Sequence, residues 1–104
     1  GPGLLESAYV AALEIELASR SMSFAREVPV QGVYRGKPLG VVYRADLIVM
    51  NCVLLEVKAI EAVEAIHRAQ VLSYLRLGQW KLGLLLNFHS PLMKSGISRI
   101  VNEL

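Results

Sequence analysis

The stretch that constrains this chain most is YRADLIVMNCVLLEVKAI, residues 43–60, which places charged residues inside the most apolar part of the sequence. Its two apolar runs are rich in Val, Leu and Ile, which is typical of buried strands. Asn51 and Cys52 lie between the runs and predict a turn, so we expect an antiparallel hairpin. This hairpin has to accommodate four charged side chains: Arg44, Asp46, Glu56 and Lys58.

The length of the turn decides whether these four charges share a face of the sheet. Side chains alternate along a strand, so the two charges of each strand lie on one face. A two-residue turn would pair Asp46 with Val57 and place its carboxylate opposite to Glu56. A three-residue turn at 50–52, or a bulge, would pair Asp46 with Glu56, and we expect this arrangement because two isolated buried carboxylates cost more than one shared site. The other face would then carry Tyr43, Ala45, Leu47, Leu55 and Val57.

Two carboxylates and an ammonium group on one face allow two interpretations. The first is an ion-pair network in which Glu56 pairs with Lys58 or Arg44. The second is a divalent-metal site, because carboxylate oxygens are hard ligands for Mg²⁺ or Mn²⁺. A lysine beside such a metal could orient or deprotonate a water molecule. The hairpin by itself is compatible with both interpretations.

The rest of the sequence predicts helices and strands around this hairpin. The predicted elements are a helix over about 4–20, strands over about 27–34, 40–50 and 53–59, a helix over about 60–77, a strand over about 80–88 and a short helix after Pro91. We expect Gly78 to end the second helix at its C′ position. The first helix has one apolar stripe, formed by Leu5, Ala8, Ala12 and Ile15.

This order of elements predicts one α/β (α+β) domain over residues 1–104. Three meandering strands followed by a helical crossover to a fourth imply a mixed sheet flanked by helices. The single cysteine excludes an intrachain disulfide and favours a reducing cytoplasm. No apolar run is long enough to cross a membrane, and we expect no membrane partner. The high apolar fraction of 54% leaves room for a homodimer, while the scattered net charge of +2 permits an anionic partner without arguing for one.

Both flanking helices carry polar residues that could reach the hairpin. Three residues of the second helix share one helix face: His67, Gln70 and Tyr74. Gln70 and Tyr74 could bind a phosphate or a metal-bound water, or they could be a surface amide and a core aromatic. His67 is better explained as the partner of a nearby carboxylate such as Glu64. On the first helix, Glu6 is favourable near the N-terminus whatever else it does.

Taken together, these residues resemble the motifs of a known family. Asp46 with Glu56-Val57-Lys58 resembles the D-x(n)-E-x-K signature of the PD-(D/E)XK nuclease superfamily, and QVLSY, residues 70–74, resembles the Q-x-x-x-Y motif of its RecB and lambda-exonuclease-like branch. GLLESAY, residues 3–9, resembles the motif of the bacterial GxxExxY proteins. The resemblance covers essentially the whole chain and implies a restriction-endonuclease-like core of helix, three-strand antiparallel meander, helix, strand and helix. Because family members generally continue upstream, we expect Gly1 to be a truncation point.

The resemblance also implies roles for these residues. Asp46 and Glu56, with the Val57 carbonyl, would hold Mg²⁺ or Mn²⁺, and Lys58 would position or activate the attacking water. The implied supporting residues are Glu6 at the metal or a water, Gln70 and Tyr74 at the phosphate or Lys58, and Arg44, His67 and Tyr9 as weaker substrate contacts. The implied function is metal-dependent hydrolysis of DNA. The alternatives are a nucleic-acid-binding or regulatory module on a nuclease scaffold with little or no turnover, and a plain interaction domain.

Overall fold

The computed structural model describes residues 3–89 and 93–103, without the side chains of residues 93 and 94. Its elements are α1 (Leu4–Ser19), β1 (Phe24–Tyr34), β2 (Lys37–Val49), β3 (Val53–Lys58), α2 (Ala65–Gly78), β4 (Leu82–Asn87), α3 (Met93–Gly96) and β5 (Ile97–Val101). The expected truncation point at Gly1, and Pro91 before the expected last helix, lie outside the described residues. Among the described residues, no helix is long and apolar enough to cross a membrane.

The five strands form one mixed sheet in the order β1-β2-β3-β4-β5. Strands β1, β2 and β3 form the predicted antiparallel meander. Helix α2 then carries the chain across to β4, which pairs with β3 in parallel. A parallel neighbour requires such a crossover, because a tight turn can join only antiparallel strands. The predicted mixed sheet is therefore confirmed.

The predicted C-terminal helix is wrong. In the described part of this segment, residues 93–103, only the single turn of α3 is helical, and residues 97–101 form strand β5, which pairs with β4 in the antiparallel direction. The sequence ISRIV is rich in β-branched residues and alternates in burial, with Ser98 and Ile100 buried between exposed neighbours. Pairing with the open edge of β4 satisfies its backbone groups, which a short exposed helix would leave to water.

The ends of α2 also differ from the prediction. The helix begins at Ala65 rather than near residue 60, and Glu64 before it is extended. Gly78 is the last helical residue, and the left-handed position after it is taken by Gln79, with φ 61°. A glycine is needed at residue 78 for another reason: a Cβ there would lie 2.0 Å from Cζ3 of the Trp80 ring. The glycine therefore marks a close approach of the Trp80 ring to the backbone.

The two long helices cover opposite faces of the sheet. The cluster under α2 contains Ala45, Ile48, Leu54, Val71, Leu75, Leu85 and Ile100. The cluster under α1 contains Leu47, Val49 and Leu55, against which Val10, Leu13 and Leu17 pack. Because Leu54 and Leu55 are consecutive residues of one strand, their membership in different clusters places the clusters on opposite faces. The expected sheet flanked by helices is thus observed.

Helix α1 packs through a different stripe from the one that its sequence suggested. The contacts come from Val10, Leu13 and Leu17, whereas Leu5 and Ile15 are 58% and 71% exposed. Ala8 and Ala12 are exposed as well. Both stripes have helical periodicity, so periodicity alone could not choose between them. The choice follows from Glu6 and Tyr9, which attach the start of the helix to the sheet, as described below.

This difference predicts unequal effects of two truncations on α1. Leu17→Ala should lower the free energy of unfolding by about 2 kcal/mol, because Leu17 packs against the cluster under α1. Ile15→Ala should change it by less than about 0.5 kcal/mol, because the side chain is exposed. Urea unfolding of both variants measures the difference. A larger loss for Ile15→Ala would show that the other stripe faces the sheet.

Candidate active site

The turn between β2 and β3 has the length that brings Asp46 and Glu56 together. Leu47 pairs with Leu55 and Val49 pairs with Val53, which leaves residues 50–52 as a three-residue turn. Met50 and Asn51 both adopt left-handed backbone conformations, with φ 54° and 58°. The expected register is confirmed, and continuing it places Asp46 opposite Glu56.

The ladder between β2 and β3 ends at Leu47 and Leu55, immediately before the two acidic residues. Beyond this point the Val57 N–H donates to Oδ2 of Asp46 at 2.8 Å. The Lys58 carbonyl accepts from Phe88 N–H after β4, so the backbone groups of Val57, one residue earlier, point towards β2. The Val57 carbonyl therefore opens onto the same side of β3 as the Asp46 carboxylate.

Strand β2 does not keep strict alternation through Asp46. Ala45 and Ile48 belong to the same cluster under α2, although residues three apart would alternate onto opposite faces of a regular strand. The β1 residue between the partners of Leu47 and Ala45 is Glu27, whose φ of 49° shows that the irregularity extends to the neighbouring strand. The prediction that Ala45 lies on the face of Leu47 and Leu55 is therefore wrong.

The same irregularity places Tyr43 in the site. Its ring stacks on Tyr74 of α2, with centroids 3.6 Å apart and planes within 4°. Alternation had assigned Tyr43 to the opposite face, so this residue was missed. No signal in the sequence marks the break, because Tyr43 and Ala45 fit a regular strand equally well.

The two carboxylates are buried. Asp46 and Glu56 are 6% and 5% exposed, and Lys58 Nζ lies 3.6 Å from Oε2 of Glu56. The other oxygen of Glu56, Oε1, is buried without a hydrogen-bond partner, as is the hydroxyl of the neighbouring Tyr43. Unsatisfied buried polar atoms are rare in native proteins and indicate a missing ligand or water. Glu56 Oε1 and the Tyr43 hydroxyl therefore lie together as buried polar atoms that a water or a ligand could still contact.

Burial also shifts the protonation of these groups. Desolvation, together with the charge of Asp46, raises the pKa of Glu56 to about 7. Burial raises the pKa of Asp46 as well, although the hydrogen bond from Val57 opposes this change. Burial and the charge of Glu56 raise the pKa values of Tyr43 and Tyr74. The acidic pair thus pays a solvation penalty that a bound cation would remove.

Glu6 and Tyr9 attach the start of α1 to the edge of this site. Oε2 of Glu6 accepts from the Ala59 N–H at 2.9 Å, and its Oε1 accepts from the Gly3 N–H at 3.0 Å. The ring of Tyr9 stacks on Phe88, with centroids 4.3 Å apart. Glu6 therefore caps its own helix, as its position near the N-terminus suggested, and holds the backbone at the end of β3, whereas its implied role at the metal or a water stays a prediction. Tyr9 contacts Phe88 rather than the carboxylates.

A cavity of about 290 Å³ opens over the carboxylates. It is lined by Glu6, Tyr43, Arg44, Asp46, Glu56, Val57, Lys58, Gln70 and Tyr74. Gln70 and Tyr74 of α2 therefore line the cavity together with the acidic pair. Their spacing had placed both residues on one face of a helix that directly follows the hairpin. His67 does not line the cavity, because its Nδ1 accepts from the Glu64 N–H at 2.9 Å at the start of α2. Its partner is thus the backbone of Glu64, whereas the sequence suggested the carboxylate.

The donors at this cavity suit a hard divalent cation. Asp46 and Glu56 offer carboxylate oxygens, one of them unsatisfied, and the Val57 carbonyl opens beside them. Among the described residues, no group of three or more His, Cys, Asp or Glu side chains could hold a metal ion. The protein ligands would thus be few, as is usual for Mg²⁺, which keeps several waters and often also binds substrate phosphates.

Comparison with known families agrees with this geometry. The model of the PD-(D/E)XK nuclease superfamily matches residues 1–100. The chain belongs to this superfamily. Its mixed five-strand sheet and two long helices are consistent with the restriction-endonuclease-like fold, and PD-(D/E)XK nucleases generally use divalent metal ions. No curated protein and no solved structure matches the chain.

The raised pKa of Glu56 predicts how the stability of this PD-(D/E)XK domain depends on pH without metal. A carboxyl with a folded pKa of about 7 and an ordinary value of 4.5 stays protonated more readily in the folded state. Its contribution to stability is complete below about pH 4.5 and is lost as the pH rises through about 7. In EDTA, the melting temperature should therefore fall between pH 5 and pH 8.

Glu56→Gln should remove most of that decrease, because an amide does not titrate. Glu16→Gln is the matched control, since Glu16 is an exposed carboxylate that pairs with Arg20 on the surface of α1. Thermal melts of the three proteins across this pH range provide the measurement. An unchanged pH dependence in Glu56→Gln would contradict the assignment of the titration to Glu56.

Proposed function

We propose that the chain is a divalent-metal-dependent nuclease that hydrolyses phosphodiester bonds of DNA and belongs to the GxxExxY group of its superfamily. The observation that carries this proposal is the buried pair of Asp46 and Glu56, with Lys58 beside it and one carboxylate oxygen unsatisfied. A buried carboxylate oxygen without a close partner is uncommon in a closed ion pair and supports a further ligand at this position. The G-x-x-E-x-x-Y spacing supports the group assignment through Glu6, which contacts the end of β3.

Asp46, Glu56 and the Val57 carbonyl would hold Mg²⁺ or Mn²⁺. When bound, the cation would supply Lewis-acid stabilisation of charge on the phosphoryl and leaving oxygens. The hydrogen bond between Asp46 and the Val57 N–H fixes the carboxylate before any ligand arrives. This preorganisation lowers the cost of assembling the site during binding.

Lys58 would hold the attacking water. Its side chain is 30% exposed and its Nζ lies 3.6 Å from Oε2 of Glu56, so the ammonium group can donate to a water oxygen in the cavity while keeping its partner. In the in-line reaction, the water oxygen would form a bond to phosphorus as the bond to the leaving oxygen breaks; the proton that the water loses would pass to solvent, and the leaving oxygen would take a proton from solvent. The positive charge of Lys58 offsets the negative charge that develops on the phosphoryl oxygens.

Gln70 and Tyr74 would orient the phosphate from the opposite wall. Both line the cavity from α2, and Tyr74 is held in place by its stack on Tyr43. The amide and the hydroxyl can each donate a hydrogen bond to a phosphate oxygen. Arg44 lines the same cavity and would add a weaker contact through its charge. His67 and Tyr9, which contact Glu64 and Phe88, would act through the helices rather than on the substrate.

Lys58→Ala tests the catalytic proposal. Wild-type protein with Mg²⁺ or Mn²⁺ should nick plasmid or degrade linear DNA, and the variant should lose at least about 100-fold in rate, because general acid–base and charge-stabilising groups contribute about that much. Gel assays across metals and substrates, including RNA, provide the measurement. Lys81→Ala, an exposed lysine before β4, is the control and should cleave like wild type.

Equal cleavage rates, or no cleavage, for both wild type and Lys58→Ala across all metals and substrates would contradict the proposed nuclease activity. DNA binding without cleavage would instead support a nucleic-acid-binding module on a nuclease scaffold. The Lys58→Ala protein has to melt near the wild-type temperature for the comparison to hold, which is expected because the Lys58 side chain is partly exposed.

Metal binding gives a second, activity-independent prediction. Millimolar Mg²⁺ or Mn²⁺ should raise the melting temperature, because a ligand that binds only the folded state stabilises it. Asp46→Asn should abolish the increase, since it removes one ligand charge while keeping the shape of the side chain. Glu14→Gln, on α1 outside the carboxylate pair, should keep it. An equal increase in wild type and Asp46→Asn would place the metal elsewhere.

A further inference from the structure

The hairpin of β1 and β2 extends beyond the rest of the sheet as an arm. The two strands pair from Phe24 and Val49 as far as Tyr34 and Lys37, whereas β3 covers β2 only at residues 47–49. Its base is packed under α2, where Val30 is buried and Val28 and Tyr43 contact the cluster. Beyond this base, residues 33–42 are all exposed. We call residues 28–45 the arm and residues 33–42 its distal part.

The shape of the arm is specified by its sequence. The pairing shifts register twice, between Val30 and Gln31 and between Gly32 and Val33, which introduces bulges. A Cβ at Gly32 would lie 2.5 Å from Cγ1 of Val42. Glycine at this position therefore leaves room for the Val42 side chain beside the bulge. Bulges bend and twist a ribbon, and they are frequent next to active sites. The bulges and Gly32 therefore specify the shape of the arm.

The positive charge of the protein is concentrated on this arm. Residues 28–45 contain Arg35, Lys37 and Arg44 and no acidic residue. The rest of the chain has eight Lys and Arg residues against nine Asp and Glu residues. The net charge of +2 therefore comes from the arm alone. These cations are spread over ten residues of the sequence, and Arg35 and Lys37 lie at the tip of the ribbon, where Tyr34 pairs with Lys37.

A continuous surface joins the arm to the carboxylates. A second cavity, of about 350 Å³, is lined by Val41, Val42, Tyr43 and Arg44. Tyr43 and Arg44 also line the cavity over the carboxylates. A chain molecule that extends from the carboxylates along the arm would thus pass Arg44, which lines both cavities.

The side chains of the distal part match bases as well as phosphates. Tyr34 is 62% exposed, and the Arg35 guanidinium lies 5.6 Å from the centre of its ring. Val33, Leu39 and Val41 are exposed beside them. Exposed aromatic and apolar side chains interleaved with cations form stacking platforms for nucleic-acid strands, and a two-stranded ribbon also fits the major groove of a duplex. A purely acidic partner would leave the apolar side chains unused, and a purely apolar partner would leave the cations unused, whereas a nucleic-acid strand uses both.

We propose that the arm binds the nucleic-acid backbone beside the cleavage site, with Arg35 and Lys37 contacting phosphates at its tip and Arg44 contacting the phosphate next to the carboxylates. This proposal rests on the proposed function, since it names the surface that holds the substrate of that site.

The test is a binding measurement that does not depend on cleavage. Fluorescence anisotropy in EDTA would follow labelled duplex and single-stranded DNA of about 30 nucleotides over a range of salt concentrations. Arg35→Gln/Lys37→Gln should weaken binding and reduce the slope of log affinity against log salt by about 1.8 for duplex or about 1.4 for single strands, the values for two lost phosphate contacts. The form of DNA bound more tightly identifies the substrate.

Lys81→Gln/Arg99→Gln is the matched control. It removes the same charge beside β4 and on β5, at the edge of the sheet opposite to β1, and should leave both slope and affinity nearly unchanged. All four residues are exposed, so circular dichroism and melting temperature should match wild type. Equal losses of DNA affinity in the two double variants would show that only the overall charge matters and would contradict the proposed binding by the arm.

The two proposals can fail separately. If the protein binds DNA through the arm but never cleaves it, the binding proposal is supported and the nuclease proposal is contradicted. If it cleaves DNA with a KM that Arg35→Gln/Lys37→Gln leaves unchanged, the nuclease stands and the arm falls. The protein could instead be a dimer that Leu39→Asp converts to a monomer, while Arg35→Gln/Lys37→Gln binds DNA as wild type does. These two results together would make the arm a contact between copies and would contradict its role in substrate binding.

Discussion

The hydrogen bond from the Val57 N–H to the Asp46 carboxylate is the interaction on which the site depends. It forms where the backbone pairing between β2 and β3 stops. There the side chain of Asp46, rather than the backbone of β2, accepts the hydrogen bond from β3. The buried N–H would otherwise lack a partner, at a cost of about 1–3 kcal/mol. Because the bond holds Asp46 against β3, it also holds Asp46 near Glu56, and the two strands can diverge there without losing their alignment. The cavity lies at this divergence.

Much of this arrangement follows from the sequence by simple rules. The apolar runs, the turn residues and the alternation along β2 and β3 are local properties, and they predict the hairpin, the three-residue turn and the shared site of Asp46 and Glu56. The position of α2 follows from the crossover that a parallel strand requires. The spacing of Gln70 and Tyr74 then places both on the side of the helix that faces the hairpin.

Other features depend on contacts that local patterns do not contain. Tyr43 enters the site because β2 breaks its alternation beside Glu27, and this break is shared by two strands that are distant in sequence. Helix α1 has two apolar stripes, and its orientation is chosen by Glu6 and Tyr9 through partners at Ala59 and Phe88. Strand β5 was mistaken for a helix because a five-residue segment gains its conformation from the open edge of β4. In each case a tertiary contact outweighs a local preference.

The bond between Glu6 and Ala59 has a consequence for the order in which the molecule becomes competent. It closes a loop of 53 residues, about half of the chain, and the entropy lost in closing such a loop must be recovered by contacts made afterwards. The hairpin that carries Asp46, Glu56 and Lys58 is local and needs no such closure. A folding chain can therefore assemble its acidic centre before α1 docks, and the third carboxylate arrives only with the complete fold. Docking of α1 thus adds Glu6 to a cavity whose other two carboxylates the hairpin already carries.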